Sequence, residues 1–141
     1  LSESRFNSVE NALKAKAEEV TDLANKVFVG EYTAPNIFPR MQIYARRVSV
    51  SESHVSGKKL HHTWRFEAVI DTESGSASAS YTSIKRLFWS FYDKIMADRS
   101  LGLSGVFATP AVESELIGGT TPEGRFGHTW TMRVDVLVHD V

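Results

Sequence analysis

The chain has 141 residues, a formal net charge of −1 and no cysteine. That length suits one domain with its own core. The near-neutral balance gives no global field for nucleic acid or an anionic membrane, and the missing thiols exclude a disulfide framework, thiol catalysis and thiolate metal sites. From Ser4 to Val29 the apolar residues Phe6, Val9, Leu13, Ala17, Val20, Ala24 and Val27 recur at steps of three and four. This is the stripe of a long amphipathic helix, about residues 4–29. Its other face carries Glu10, Lys14, Glu18, Asp22 and Lys26, with Lys14 and Glu18, and Asp22 and Lys26, spaced to pair weakly. Gly30 is a natural stop, and Pro35 and Pro39 force an extended exit.

A half-buried strand follows, with Met41, Ile43 and Ala45 on one face and Arg40, Gln42, Tyr44 and Arg46 on the other. Ser49 to Lys59 is polar and lacks an apolar period, which predicts a mobile hairpin loop. Alternation resumes with His62, Trp64, Phe66, Ala68 and Ile70 facing one side, closing a first antiparallel hairpin over about residues 38–71. The small-residue stretch Ser74 to Ser80 links two elements of one domain and offers Ser78 and Ser80 as helix caps. A second helix, about residues 80–99, buries Ile84, Leu87, Phe88, Phe91 and Ile95. Val106 to Ile117 reads as a third strand interrupted near Pro110. Gly118 to Gly127 forms a second long loop, and a fourth strand places His128, Trp130, Met132, Val134, Val136 and Val138 on one face, so the closing hairpin covers about residues 105–139. The expected fold is α+β, a single domain over residues 1–141 in αββαββ order. Two helices pack on one face of a mainly antiparallel four-stranded sheet.

The segment starting His62-Thr63-Trp64 has an echo in His128-Thr129-Trp130, each after a polar loop and in the same face alternation. Duplication of a helix–strand–strand unit and chance strand chemistry both account for it.

Catalytic and metal patterns are absent. The histidines show no His-x-x-x-His pair, and neighbouring His61 and His62 must point to opposite faces of a strand. No Gly-x-Ser-x-Gly elbow or phosphate loop is present, and Glu113 and Glu115 on one strand face are explained by edge solvation. No cofactor is expected, and no apolar run approaches the roughly 18 residues of a membrane span.

Surfaces remain. Beside its core stripe the second helix carries Lys85, Trp89, Tyr92 and Met96. Trp89 and Tyr92 either pack under the first helix or, with Met96, form a subunit interface, where such residues are enriched. Arg40, Arg46, Arg47, Lys58, Lys59 and Arg65 gather on the first hairpin, as a solvated surface or as a contact for an acidic partner or the DNA backbone.

The sequence of elements, with the hairpin entered through Ile37-Phe38-Pro39-Arg40-Met41-Gln42-Ile43-Tyr44, resembles the tail terminator family of long-tailed bacteriophages over nearly the whole chain. The likeness is one of size, element order and texture, without a signature motif, and related neck and tail-completion proteins share it. It implies a virion subunit, assembled in the host cytoplasm, that forms a hexameric ring with copies of itself on the last ring of tail tube protein. Such a ring ends tube polymerisation, offers its other face to the head–neck connector or stopper protein and lets DNA pass. The family implies neither enzyme activity nor a cofactor. On this reading Trp89, Tyr92 and Met96 join subunits, and the basic hairpin faces the DNA lumen. The loop residues Ser53, His54, Gly57, Thr121, Glu123, Arg125 and Phe126 reach neighbouring rings. The rival readings are a small monomeric or dimeric module that binds peptides at a sheet edge, and a small α+β enzyme with an unidentified pocket.

Overall fold

Strand alternation decides which side of the sheet the helices cover. The computed structural model describes residues 3–30, 36–52, 60–111 and 114–139. Its elements are α1 (Glu3–Glu18), β1 (Val27–Val29), β2 (Arg40–Glu52), β3 (Leu60–Ser74), α2 (Ala77–Ala97), β4 (Val106–Pro110), β5 (Leu116–Thr120) and β6 (Phe126–His139). The fold is α+β, with a six-stranded mixed sheet in the order β1-β2-β3-β6-β4 and β5 also paired to β6. Trp64, Phe66, Ala68 and Ile70 of β3, and Met132, Val134, Val136 and Val138 of β6, turn to the helices and are buried. The α2 stripe of Ile84, Leu87, Phe88, Phe91 and Ile95 meets them, each residue fully buried. Phe88 stacks on Trp130 with ring centroids 3.9 Å apart, and Phe6 of α1 packs at 5.0 Å from Trp64.

Two strands enlarge the expected four-stranded arrangement. The first helix ends at Glu18 rather than near Val29. Tight turns follow, in which Asp22 and Asn25 take φ of 77° and 61°, a left-handed backbone that no helix accommodates. Val20 and Leu23 stay buried through these turns, so the apolar spacing persists where the helix does not, and Ala24 is exposed. Val27–Val29 then forms β1, parallel to Met41–Ile43 of β2. Lys14 and Glu18 pair at 3.9 Å, whereas Asp22 pairs at 2.7 Å with Arg86 of α2.

The third strand is divided as Pro110 suggested. Its two pieces, β4 and β5, lie against opposite ends of β6, β4 on Val134–Val138 and β5 on Phe126–Trp130. Each half of the chain therefore has three strands after its helix, in place of αββαββ. Because β5 runs on to Thr120, the second loop shrinks to a turn at residues 121–125, closed by Thr121 N–H donating to the Arg125 carbonyl at 2.7 Å. Gly118 lies opposite His128, and a side chain there would meet the imidazole at 3.0 Å. In the first hairpin, Ser49 and the two residues after Val50 belong to β2 rather than to a loop. A bulge between Ala45 and Arg47 shifts the register, and Val48, rather than a continued odd-numbered series, lies opposite buried Trp64. Ser76, not Ser78 or Ser80, caps α2 by accepting from Ala79 N–H.

The echo acquires a geometric meaning. His62 and His128 are 66 residues apart, as are Glu67 and Arg133, which lie opposite each other near the middle of the β3–β6 ladder. A two-fold rotation exchanging the two strands would pass between that central pair. The two histidines fall at opposite ends of the ladder, opposite Val138 and Thr72.

Candidate interaction surfaces

The helices leave the other face of the sheet uncovered, and paired charges run along much of it. Arg40 Nε lies 3.2 Å from Asp71, Arg46 Nε 2.9 Å from Glu67, and Arg65 Nε 3.1 Å from Asp135. Arg133 approaches the second oxygen of Asp135 at 3.4 Å, and Arg125 holds Glu73 at 2.9 Å. Thr129 donates to Asp71 at 2.6 Å, and the Arg40 guanidinium covers the Phe38 ring at 4.8 Å. Opposite-charge neighbours across strands favour one register and disfavour slips that would bring like charges together. The more exposed of these pairs contribute only about 0–1 kcal/mol each, so they serve specificity more than stability, while Arg40 and Asp71 are largely shielded from solvent. The array also answers where the basic hairpin goes. Arg40, Arg46 and Arg65 each face a carboxylate, Arg47 sits exposed at the bulge opposite Arg65, and Lys58 and Lys59 lie outside the described residues. The structure thus pairs Arg40, Arg46 and Arg65 with carboxylates in a nearly neutral lattice.

An open hollow of about 370 Å³ interrupts this face where the chain passes from β4 to β5, lined by Glu67, Ser114, Glu115, Ile117, Thr131 and Arg133. Glu67 on its wall pairs with Arg46.

The second surface is a flank of α2. Arg86 on one side of the helix reaches Asp22, and Asp98, just past its C-terminal end, reaches Lys16, so these points meet α1 and the turns after it. Trp89, Tyr92 and Met96 lie on the other side. Trp89 is 44% exposed and Met96 41%, while Tyr92 is half-buried against the core and meets the Trp89 ring edge-on at 5.4 Å. Tyr81, also exposed, extends the row, with Lys85 Nζ 4.4 Å over its ring. Trp89 therefore does not pack under α1.

Of the expected loop residues, Thr121, Glu123 and Arg125 form the tight turn between β5 and β6, and Phe126 opens β6 half-buried opposite Thr120. Thr121 Oγ1 accepts from Arg125 N–H at 3.1 Å, which makes this tip compact. Ser53, His54 and Gly57 lie outside the described residues.

Sequence patterns give no sign of one polar cluster. Ser80 Oγ lies 2.8 Å from His128 Nδ1 and 2.9 Å from Thr72 Oγ1, and Thr72 also donates to the Ser80 carbonyl at 3.1 Å. A serine beside a histidine suggests a nucleophile and base. Here Ser80 is only 1% exposed, and its hydroxyl is shared with Thr72. The trio fastens the start of α2 to β3 and β6. His62 has a different task, accepting from Trp64 Nε1 at 3.3 Å. Among the described residues no three His, Asp or Glu side chains gather to hold a metal ion, and no helix is long and apolar enough to cross a membrane. Two carboxyls away from these surfaces titrate unusually. Burial raises Glu10, and hydrogen bonding from Ser100, with Lys16 nearby, lowers Asp98.

Neither the models of known protein families nor the curated proteins include a match to this chain.

Proposed function

We propose that this protein is a structural subunit that works by assembling with copies of itself, as a tail terminator of a long-tailed bacteriophage. In that role a ring of subunits, six by the family resemblance, sits on the last ring of tail tube protein at the head-proximal end of the virion. It stops polymerisation of the tube and presents its other side to the head–neck connector or stopper. The observation that carries an assembling role is the exposed flank of α2, where Trp89 and Met96 stand in solvent beside Tyr92 and Tyr81. Aromatic and methionine side chains of this kind supply the anchors of protein interfaces. A ring also needs two different patches that meet by rotation. The second patch is the outer edge of β2 beyond Ile43, where exposed Arg46, Arg47 and Val48 lie past the end of β1. If the bare sheet face lines the lumen, few of its cations among the described residues are left without a carboxylate to hold phosphates, which suits passage of DNA better than tight binding.

Mass measurement by light scattering and negative-stain imaging, with the protein alone and with tail tubes, tests this reading. Rings are expected at tube ends, and Trp89→Ala with Met96→Ala should abolish them while leaving the thermal melt of the subunit nearly unchanged. A subunit that stays monomeric at high concentration and never caps a tube would overturn it. In that event the open edge of β2 favours the second reading, a module that adds an extended peptide as a further strand.

A further inference from the structure

We propose that copies of this chain join strand to strand, the open edge of β2 at residues 45–49 in one subunit adding antiparallel to the open edge of β5 in the next. The pairing rests on the assembling role above and brings its two patches into a single contact.

A sheet edge is a row of backbone donors and acceptors that pairs with another chain unless something blocks it. The edge at β4 is blocked. Ala108 N–H donates to the Arg99 carbonyl at 2.7 Å, Arg99 Nε donates back to the Ala108 carbonyl at 2.9 Å, and Pro110 has no N–H to offer. The edge at β5 has no such cover. Its sequence, Leu-Ile-Gly-Gly-Thr, holds neither charge nor proline, and every residue after Leu116 is exposed. Thr121 N–H donates to the Arg125 carbonyl, so alternation along the ladder turns the backbone groups of Thr120, Gly118 and Leu116 away from β6. On β2, the pairing with β1 ends at Ile43, and residues 45–49 are all exposed. That stretch matches the 5 residues of β5 in length.

The two edges also match on each face of the sheet. On the helix side of β2, Val48 stands 53% exposed opposite Trp64. On the helix side of β5 stands the α2 flank: Tyr81 lies 5.7 Å from His128, the partner of Gly118, and Phe88, edge-on to Trp89, stacks on Trp130, the partner of Leu116. Val48 of one copy therefore finds apolar cover on the next. On the other side of the sheet, Arg47 is exposed at the bulge and Glu115 is exposed on the rim of the hollow. Neither has an ionic partner among the described residues. Setting Val48 opposite Leu116 puts Arg47 opposite Ile117 and diagonal to Glu115, within reach of a long side chain. Since β2 and β5 run in opposite directions within the subunit, copies that keep one orientation meet antiparallel, with the helices on one side of a continuous sheet. The contact joins unlike edges, so it closes a ring when each step also turns. The bulge and the arginines of β2 discourage an arbitrary strand, and Glu115 supplies the charge that admits this one.

The chain has no cysteine, so introduced thiols report this contact alone. Full-length Arg47→Cys and Ile117→Cys variants, mixed at high concentration with and without tail tubes under a mild oxidant, are expected to give a disulfide-linked dimer of one variant with the other. Arg47→Cys mixed with Phe107→Cys, on the blocked β4 edge, should give none. In sedimentation, Arg47→Glu should weaken self-association at least about tenfold, and adding Glu115→Arg to it should restore the wild-type value; circular dichroism checks that both variants fold. Rings at tube ends without the disulfide, or association that Arg47→Glu leaves unchanged, would overturn the pairing and leave the terminator reading standing. The disulfide in chains that never cap a tube supports the pairing and overturns that reading instead. A chain that neither associates nor cross-links overturns the pairing as well.

Discussion

The same two strands, β3 and β6, build surfaces of opposite character on their two faces. Toward the helices, Phe66 and Val134 are sealed in a continuous apolar core; one residue along, Arg65 and Asp135 meet as an ion pair in contact with solvent. The contrast separates two tasks. The covered face supplies the free energy of folding, because area removed from water is what stabilises. The bare face contributes little to stability and is free to encode register and contacts.

Three experiments probe how sharp that division is. The largest effect is expected for Phe88→Ala, which removes a fully buried ring and its stack on Trp130. Urea denaturation should show a loss of about 3–5 kcal/mol. A value under 1 kcal/mol would mean that the core closes around the gap and is not close-packed there. Ser80→Ala tests the polar trio on the covered side. Removing the shared hydroxyl strands a side-chain partner on Thr72 and on His128, so a loss of about 1–3 kcal/mol is expected. Unchanged stability would show that the trio is not a fastening. The smallest effect belongs to the bare face. A double-mutant cycle on Arg65 and Asp135 should return a coupling of about 1 kcal/mol or less that shrinks in high salt. A coupling of several kcal/mol would break the comparison and make the charged lattice part of the fold's energetic foundation.

Much of this division was legible in the sequence, since a period of two along β3 and β6 and the helical stripe from Ile84 to Ile95 leave few other arrangements. What escaped has physical causes. Val27–Val29 is too short for a period to register, and it follows residues whose apolar spacing imitates a longer helix. The break of that helix depends on the backbone at Asp22 and Asn25, two residue types that enter the left-handed region more readily than most. The bulge after Ala45 changes which residues face inward without altering composition. Of the candidate surfaces, the wide apolar arc at Trp89 and Met96 was readable because it needs only one helix. The pairing of Arg65 with Asp135 and of Ser80 with His128 was not. Each joins residues far apart in the chain, and register between such strands is set by the whole sheet rather than by any local pattern.

The β3–β6 ladder also governs how the chain can reach this state. Its partners are separated by 52 residues at Ser74 and Phe126 and by 78 at His61 and His139. Every bond in it closes a long loop and requires the entropy of that closure to be met before any gain appears. The β2–β3 and β5–β6 hairpins, by contrast, join neighbours in sequence. The centre of the sheet is therefore the last place where local order alone suffices. The kinetic barrier to folding should lie in the meeting of two halves that are each already partly formed.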